Sequence, residues 1–203
     1  MKNLKIFIII IILFFIYIFL SAKSYSRFIF DDLSDEILRL HIVANSNSAE
    51  DQYLKLKIRD NILNYLSIYS SNFKNKNEEI SFINNHQTEI YNIINNTISE
   101  SGYSYSFSFK IDNCYFPTKN YGSITLPLGN YDCLNIKIGN ANGENWWCVM
   151  FPPVCINTSS VIVDSSSQDT LKDSINNESF SIVTNESTNY KIKFKILEIF
   201  NSI

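Results

Sequence analysis

An α+β fold, with a helical hairpin packed on a mainly antiparallel sheet behind an N-terminal signal or anchor helix, is what this sequence predicts. Three observations carry that expectation. Ile6 to Leu20 is an unbroken apolar run. Apolar residues then recur at helical spacing between Leu54 and Ile98, and at strand spacing after Gly102. Finally, Asn145 to Cys155 holds both tryptophans, two of the four cysteines and two of the four prolines.

The N-terminal segment has the pattern of an export signal: Lys2 and Lys5, the apolar run, then the small residues Ser21 and Ala22. As a helix, Leu4 to Ala22 reaches about 28 Å, close to the thickness of a bilayer core, so the same segment also suits an anchor. Positive charge precedes the run, which places the remainder on the outer side. The expected organisation is residues 1–22 as signal or anchor, 23–33 as a juxtamembrane spacer, and 34–203 as one domain. At 203 residues with 45% hydrophobic content, the chain can build one sizeable core. A formal charge of −3 argues against a nucleic-acid binder.

Ile37 to Ala44 reads as a first strand, with Leu38, Leu40 and Ile42 on one face and Arg39, His41 and Val43 on the other. Ser48 with Glu50 and Asp51 marks a helix start, since a hydroxyl there accepts an early backbone amide and acids suit the positive helix end. Leu54, Ile58, Ile62 and Leu66 form the buried stripe of that helix. A second helix is expected from Asn77 to Ser99, with Ile80, Ile83, Ile90, Ile94 and Ile98 inward and Gly102 stopping it. Tyr103 to Ile111 alternates aromatic and polar residues, a half-buried strand. A strand through Ile124 and Leu126, a turn at Pro127 and Gly129, and a strand from Tyr131 to Ile138 follow, which together suggest a meander.

In Asn145 to Cys155 both parities are apolar from Trp146 to Phe151, so a central strand covered on both faces is expected, ended by Pro152 and Pro153. Residues 157–189 are polar enough to read as a loop or disordered insertion. Strict alternation from Tyr190 to Ile196 reads as a final edge strand.

Export makes disulfides plausible, and four cysteines allow three connectivities. The pairing expected is Cys148 with Cys155 around the prolines, and Cys114 with Cys133 across two strands, both on the solvent side by parity. No zinc-like spacing, Gly-x-Ser-x-Gly, His-Glu-x-x-His or phosphate-cradling glycine loop is present. His41 is expected to bond the following turn as a structural residue, like Gly129 in its own turn. No catalytic residue, cofactor or metal is expected, nor a small-molecule substrate. The tryptophans fit a core under the helical hairpin, but could also stack on a glycan, as in a wall-binding or hydrolase-accessory module, or anchor a protein partner.

Two separated stretches resemble one family. His41-Ile42-Val43-Ala44-Asn45-Ser46-Asn47-Ser48 with Asp51-Gln52, Lys55 and Ile58-Arg59-Asp60 is similar to the N-terminal motif of stage II sporulation protein R. Leu126-Pro127-Leu128-Gly129-Asn130-Tyr131 and Asn145 through Cys155 match the same family. The resemblance implies a non-enzymatic protein of endospore formation. Such proteins are exported from the forespore to the intermembrane space, or held at the outer face of the forespore membrane. There they trigger a membrane-bound aspartic protease of the mother cell that processes the precursor of sigma-E. On this reading Asn45, Ser46, Asp51, Gln52, Arg59 and Asp60 are the candidate partner contacts, because loops and helix starts present side chains outward while the tryptophan strand is core.

Overall fold

The computed structural model describes residues 2–153, 165–184, 195 and 198–200. It begins with one long helix, α1 (Lys2–Glu36). Its apolar residues from Leu4 to Leu20 are exposed and bury nothing in the domain, and it is long and apolar enough to cross a membrane. The segment expected to be a spacer is instead the second half of this helix. Ser26, Ile29 and Leu33 fall at helical spacing and are buried, so the stretch has a core-facing stripe that its charged residues had obscured.

Strand β1 (Leu38–Val43) follows directly, then α2 (Ala49–Ser67), with Ser48 Oγ accepting the Asp51 amide as its cap. The second helix of the hairpin is two helices, α3 (Lys76–Asn85) and α4 (Gln87–Glu100). The break falls at His86, whose Nδ1 pairs with the Phe82 carbonyl at 2.8 Å while its ring stacks on Phe82 at 3.8 Å. A side chain tied to its own backbone in this way competes with helix continuation. Gly102, at φ 84°, then turns the chain out of α4.

Four strands form the main sheet: β1 with β2 (Phe107–Phe116), β5 (Gly129–Ile138) and β6 (Asn145–Phe151), in the order β2-β5-β1-β6. It is not a meander. β5 pairs antiparallel with β2 and parallel with β1, and β6 pairs antiparallel with β1. The central places therefore go to β1 and β5, and the tryptophan strand lies at the edge of the sheet among the described residues. Its double-sided apolar pattern reflects cover from both layers, not a central position. A register shift between Leu38 and Arg39 gives β6 an extra residue before Phe151, and the Phe151–Pro152 peptide is cis. The strand β3 (Lys119–Tyr121), unforeseen from sequence, pairs with β4 (Ile124–Leu126) as a separate hairpin.

One face of the sheet carries Leu40, Ile42, Leu134, Ile136 and Ile138, all buried in the core that also holds Leu54, Ile58 and Ile62 of α2 and Ile90, Ile94 and Ile98 of α4. The other face carries Arg39, His41, Tyr131 and Cys133. The second half of α1 lies on this side, with Phe30 against Tyr131 at 5.2 Å. Gly129, at φ 151°, admits Phe30, whose ring would lie 2.2 Å from any Cβ there. The polar stretch expected as a loop contains two short helices, α5 (Ser165–Ser174) and α6 (Asn177–Val183), and Phe180, Ile182 and Val183 are buried. Tyr25 donates to Glu178 at 2.8 Å and the Asn176 amide donates to Asp32 at 3.1 Å, tying α6 to α1. Of the expected final strand at 190–196 only Lys195 is described; it pairs with Glu198 at 3.0 Å.

Candidate functional site at the β1–α2 junction

The end of β1 and the start of α2 form a hydrogen-bonded clasp. Asp51 Oδ2 accepts from Asn45 Nδ2 at 2.7 Å and from Ser46 Oγ at 2.6 Å. Gln52 donates to the Ser46 carbonyl at 2.8 Å, and Lys55 donates to Gln52 at 2.6 Å and to the Glu144 carbonyl at 3.0 Å. The loop between β5 and β6 closes the clasp from outside. Asn45 Oδ1 accepts the Asn140 amide at 2.9 Å, and Asn47 Oδ1 accepts the Glu144 amide at 2.7 Å. Gly143 is required here, because a Cβ would stand 2.2 Å from the Ser46 carbonyl oxygen. Three successive polar residues after a strand thus serve as a buckle between two loops.

Electrostatics fit this architecture. Burial of Asp51 works to raise its pKa, but the hydrogen bonds from Ser46 and Asn45 outweigh it and hold the carboxyl below its usual value. Burial lowers the Lys55 ammonium, with Glu144 opposing and Arg59 reinforcing. Along α2, the Arg59 guanidinium lies 4.2 Å over the Trp146 ring and its Nε donates to Asp60 at 2.6 Å. His41 stacks on Trp147 at 3.9 Å, and its Nε2 pairs with Asn145 Oδ1 at 2.8 Å. Burial pulls the His41 pKa down, so the ring is neutral at physiological pH. Its partner is a residue of β6, not the turn that follows β1.

The site residues therefore fall into two groups. Asn45, Ser46, Asp51 and Gln52 come together in the clasp, while Arg59, paired with Asp60, lies over Trp146. Their exposure reverses what sequence reasoning expects. Asp51 and Arg59 are buried, at 4% and 7% exposed, whereas Trp146 and Trp147 are only partly buried. A short polar side chain at a helix start turns inward when a second loop must be held, and an edge tryptophan can be half covered by an arginine. Lys55, Asn47 and the 140–144 loop were not among the candidate contacts; the run of Asn, Ser and Asn beside Asp51 was the signal for them.

Cys148 is disulfide-bonded, while Cys155, its expected partner, lies outside the described residues. Cys114 and Cys133 are free thiols, contrary to the expected second bridge. Cys133 is fully buried, not on the solvent side, because β5 is covered on both faces; burial raises both thiol pKa values. Cys114 pairs with Tyr131 and Cys133 with Asp112, so the two cysteines are diagonal across the strands, not opposite. Among the described residues no group of three His, Cys, Asp or Glu side chains could hold a metal ion.

A family model described as stage II sporulation protein R matches residues 34–161, more than half of the chain. The chain belongs to the stage II sporulation protein R family. A curated relative named stage II sporulation protein R, from Bacillus subtilis (strain 168), is 38% identical over 123 residues. That alignment covers 61% of this chain and 55% of the relative, so the chain spans about half the length of the curated relative it matches. No solved structure matches. In this sporulation protein the matched region runs from the end of α1 through β6, and so includes the whole clasp and the tryptophan strand.

Proposed function

We propose that this chain is exported from the forespore and signals to the mother cell by activating a membrane-bound aspartic protease, which then processes the precursor of sigma-E. Family membership across the sheet and hairpin is the observation that carries this reading. The N-terminal apolar helix supports it by supplying a signal or anchor. The domain acts as a protein ligand, not as an enzyme. Oδ2 of its Asp51 carboxylate is taken up by hydrogen bonds from Asn45 and Ser46, and His41 is stacked on Trp147.

The domain shifts its partner by binding an active state of the protease more tightly than the inactive one. Within the candidate contacts, Asn45, Ser46, Asp51 and Arg59 shape the surface, and Gln52 and Asp60 present it together with Tyr53, which is 69% exposed on the same helix. Reconstitution tests the proposal. The full chain is added to membranes holding the candidate protease and its precursor substrate, and precursor cleavage is followed. Cleavage is expected with the wild-type chain and is lost with Tyr53→Ala at unchanged melting temperature. No cleavage by the folded wild-type chain removes the signalling reading.

A further inference from the structure

The join between α1 and the domain leaves no flexible spacer, and this fixes how far the domain can stand from a membrane. One unbroken helix leads from the apolar run into the core, and its first fully covered residue is Ser26. At the helical rise, Ser26 lies only about 9 Å beyond Leu20. The headgroup layer on one side of a bilayer is itself about 5–8 Å thick. A domain that starts its core at that height rests on the lipid surface.

Charge and apolar exposure along the join fit that placement. Lys23 and Arg27 come about 4.5 and 10 Å beyond Leu20, whereas the acids Asp31, Asp32, Asp35 and Glu36 begin at about 16 Å. Arg27 is 82% exposed, and its contact to Asp31 at 3.4 Å is a solvent-screened pair that leaves it available. Phe28 is 57% exposed, and helical side chains lean toward the N-terminus, here toward the lipid. Residues 198–200 reach the same level. Phe200 packs on Phe19 at 5.2 Å, Ile199 is half exposed, and Glu198 is held to Thr118 beside the sheet at 2.9 Å. Phe200 thus comes to the height at which the apolar helix ends, and Phe28, about 12 Å beyond Leu20, leans down toward it from the outer headgroup level.

We propose that the underside of the domain is a binding surface for an anionic bilayer, with Phe28 and Phe200 inserted at the headgroup boundary and Lys23 and Arg27 on lipid phosphates. The proposal rests on α1 being the membrane segment. It adds that the domain stays on the surface after that segment is removed. Residues 3–21 contribute no buried side chain and touch the described domain through Phe19 on Phe200, so the chain beginning at Lys23 keeps every buried core residue and folds alone.

Vesicle flotation of residues 23–203 tests it, with phosphatidylcholine alone or mixed with phosphatidylglycerol. Flotation with the anionic vesicles is expected, weakened about fivefold per charge in K23E/R27E. F28S and F200S should each weaken it about tenfold at unchanged melting temperature. A protein that remains soluble with both vesicle types, binds both equally, or is indifferent to F28S and F200S overturns the proposal. Flotation does not depend on protease activation, so a failed cleavage assay leaves this result standing, and the reverse.

Discussion

On one side of β1, Leu38, Leu40 and Ile42 are buried among aliphatic side chains of the sheet and the helices α2 and α4. On the other side of the same six-residue strand, Arg39 is fully buried among aromatic rings. Its guanidinium lies 4.0 Å from the Phe116 centroid, 4.9 Å from Tyr131 and 5.7 Å from Tyr121, and Nη2 donates to the Tyr121 hydroxyl. Among the described residues no carboxylate pairs with it, and Nε and Nη1 have no hydrogen-bond partner. Next to it His41 stacks on Trp147. The first face is held by apolar burial, the second by rings around a cation. Arg39 fills its space with a flat, weakly hydrated group that aromatic faces tolerate, so the second face packs without being apolar.

Truncation tests the difference most strongly on the aliphatic face. Leu40→Ala should cost about 3–5 kcal/mol, read from urea midpoints at constant slope, because the cavity beneath α2 cannot collapse between two packed helices and a central strand. Arg39→Ala should cost slightly less, about 2–4 kcal/mol, since it empties the cage but also removes a buried charge. Arg39→Met separates packing from charge. If the cage is mainly a shape filled by a long side chain, methionine should restore stability to within about 1 kcal/mol of the wild type. A methionine variant as unstable as the alanine one would show that the cation itself is required.

Period-2 and period-3.6 patterns made β1, α2 and the strand at Phe107 to Ile111 legible, and the Ser48 cap was readable because its mechanism is local. Periodicity could not show which strand stands next to which. The parallel pairing of β1 with β5 joins residues over ninety positions apart, and so the meander and the central tryptophan strand both failed. The second half of α1 was hidden because its fully buried residues are Ser26, Ile29 and Leu33, amid charged neighbours. At the candidate site the residues were found but their orientation was not. Asn45, Ser46 and Asp51 look like an exposed polar turn until the 140–144 loop is seen to close over them. Arg39 gave no signal, since an arginine alternating with leucines reads as the solvent side of a strand.

The clasp and the cavity beneath α2 offer a finer comparison, between two buried carboxyls of opposite pH behaviour. Asp51 has a lowered folded pKa, so its contribution is present above the unfolded value near 4 and is lost as pH falls through the folded value. Asp51→Asn should cost about 1–2 kcal/mol at neutral pH, as the charge-assisted bonds weaken. It should also flatten the acid limb of a stability-versus-pH curve. An unchanged acid limb in this variant would mean that the clasp does not depend on the charge.

Glu79 behaves the other way. It is 4% exposed beside a small, partly open cavity lined by Leu63, Leu66, Ser67, Ser70, Val149, Met150 and Pro153, and burial pushes its pKa up to about 8. The folded state therefore keeps a proton that the unfolded chain has released. The stabilising contribution is complete below the unfolded value of 4.5 and declines as pH rises toward about 8, beyond which it is gone. Glu79→Gln keeps the shape and removes the titration. It should match the wild type at about pH 4.5 and exceed it at about pH 8, and the difference should grow smoothly between them. Because the neutral acid already suits the cavity, this is the smallest of the effects at low pH. A constant difference across that range would place the Glu79 proton elsewhere and leave Asp51 as the one carboxyl of the pair that links folding to pH.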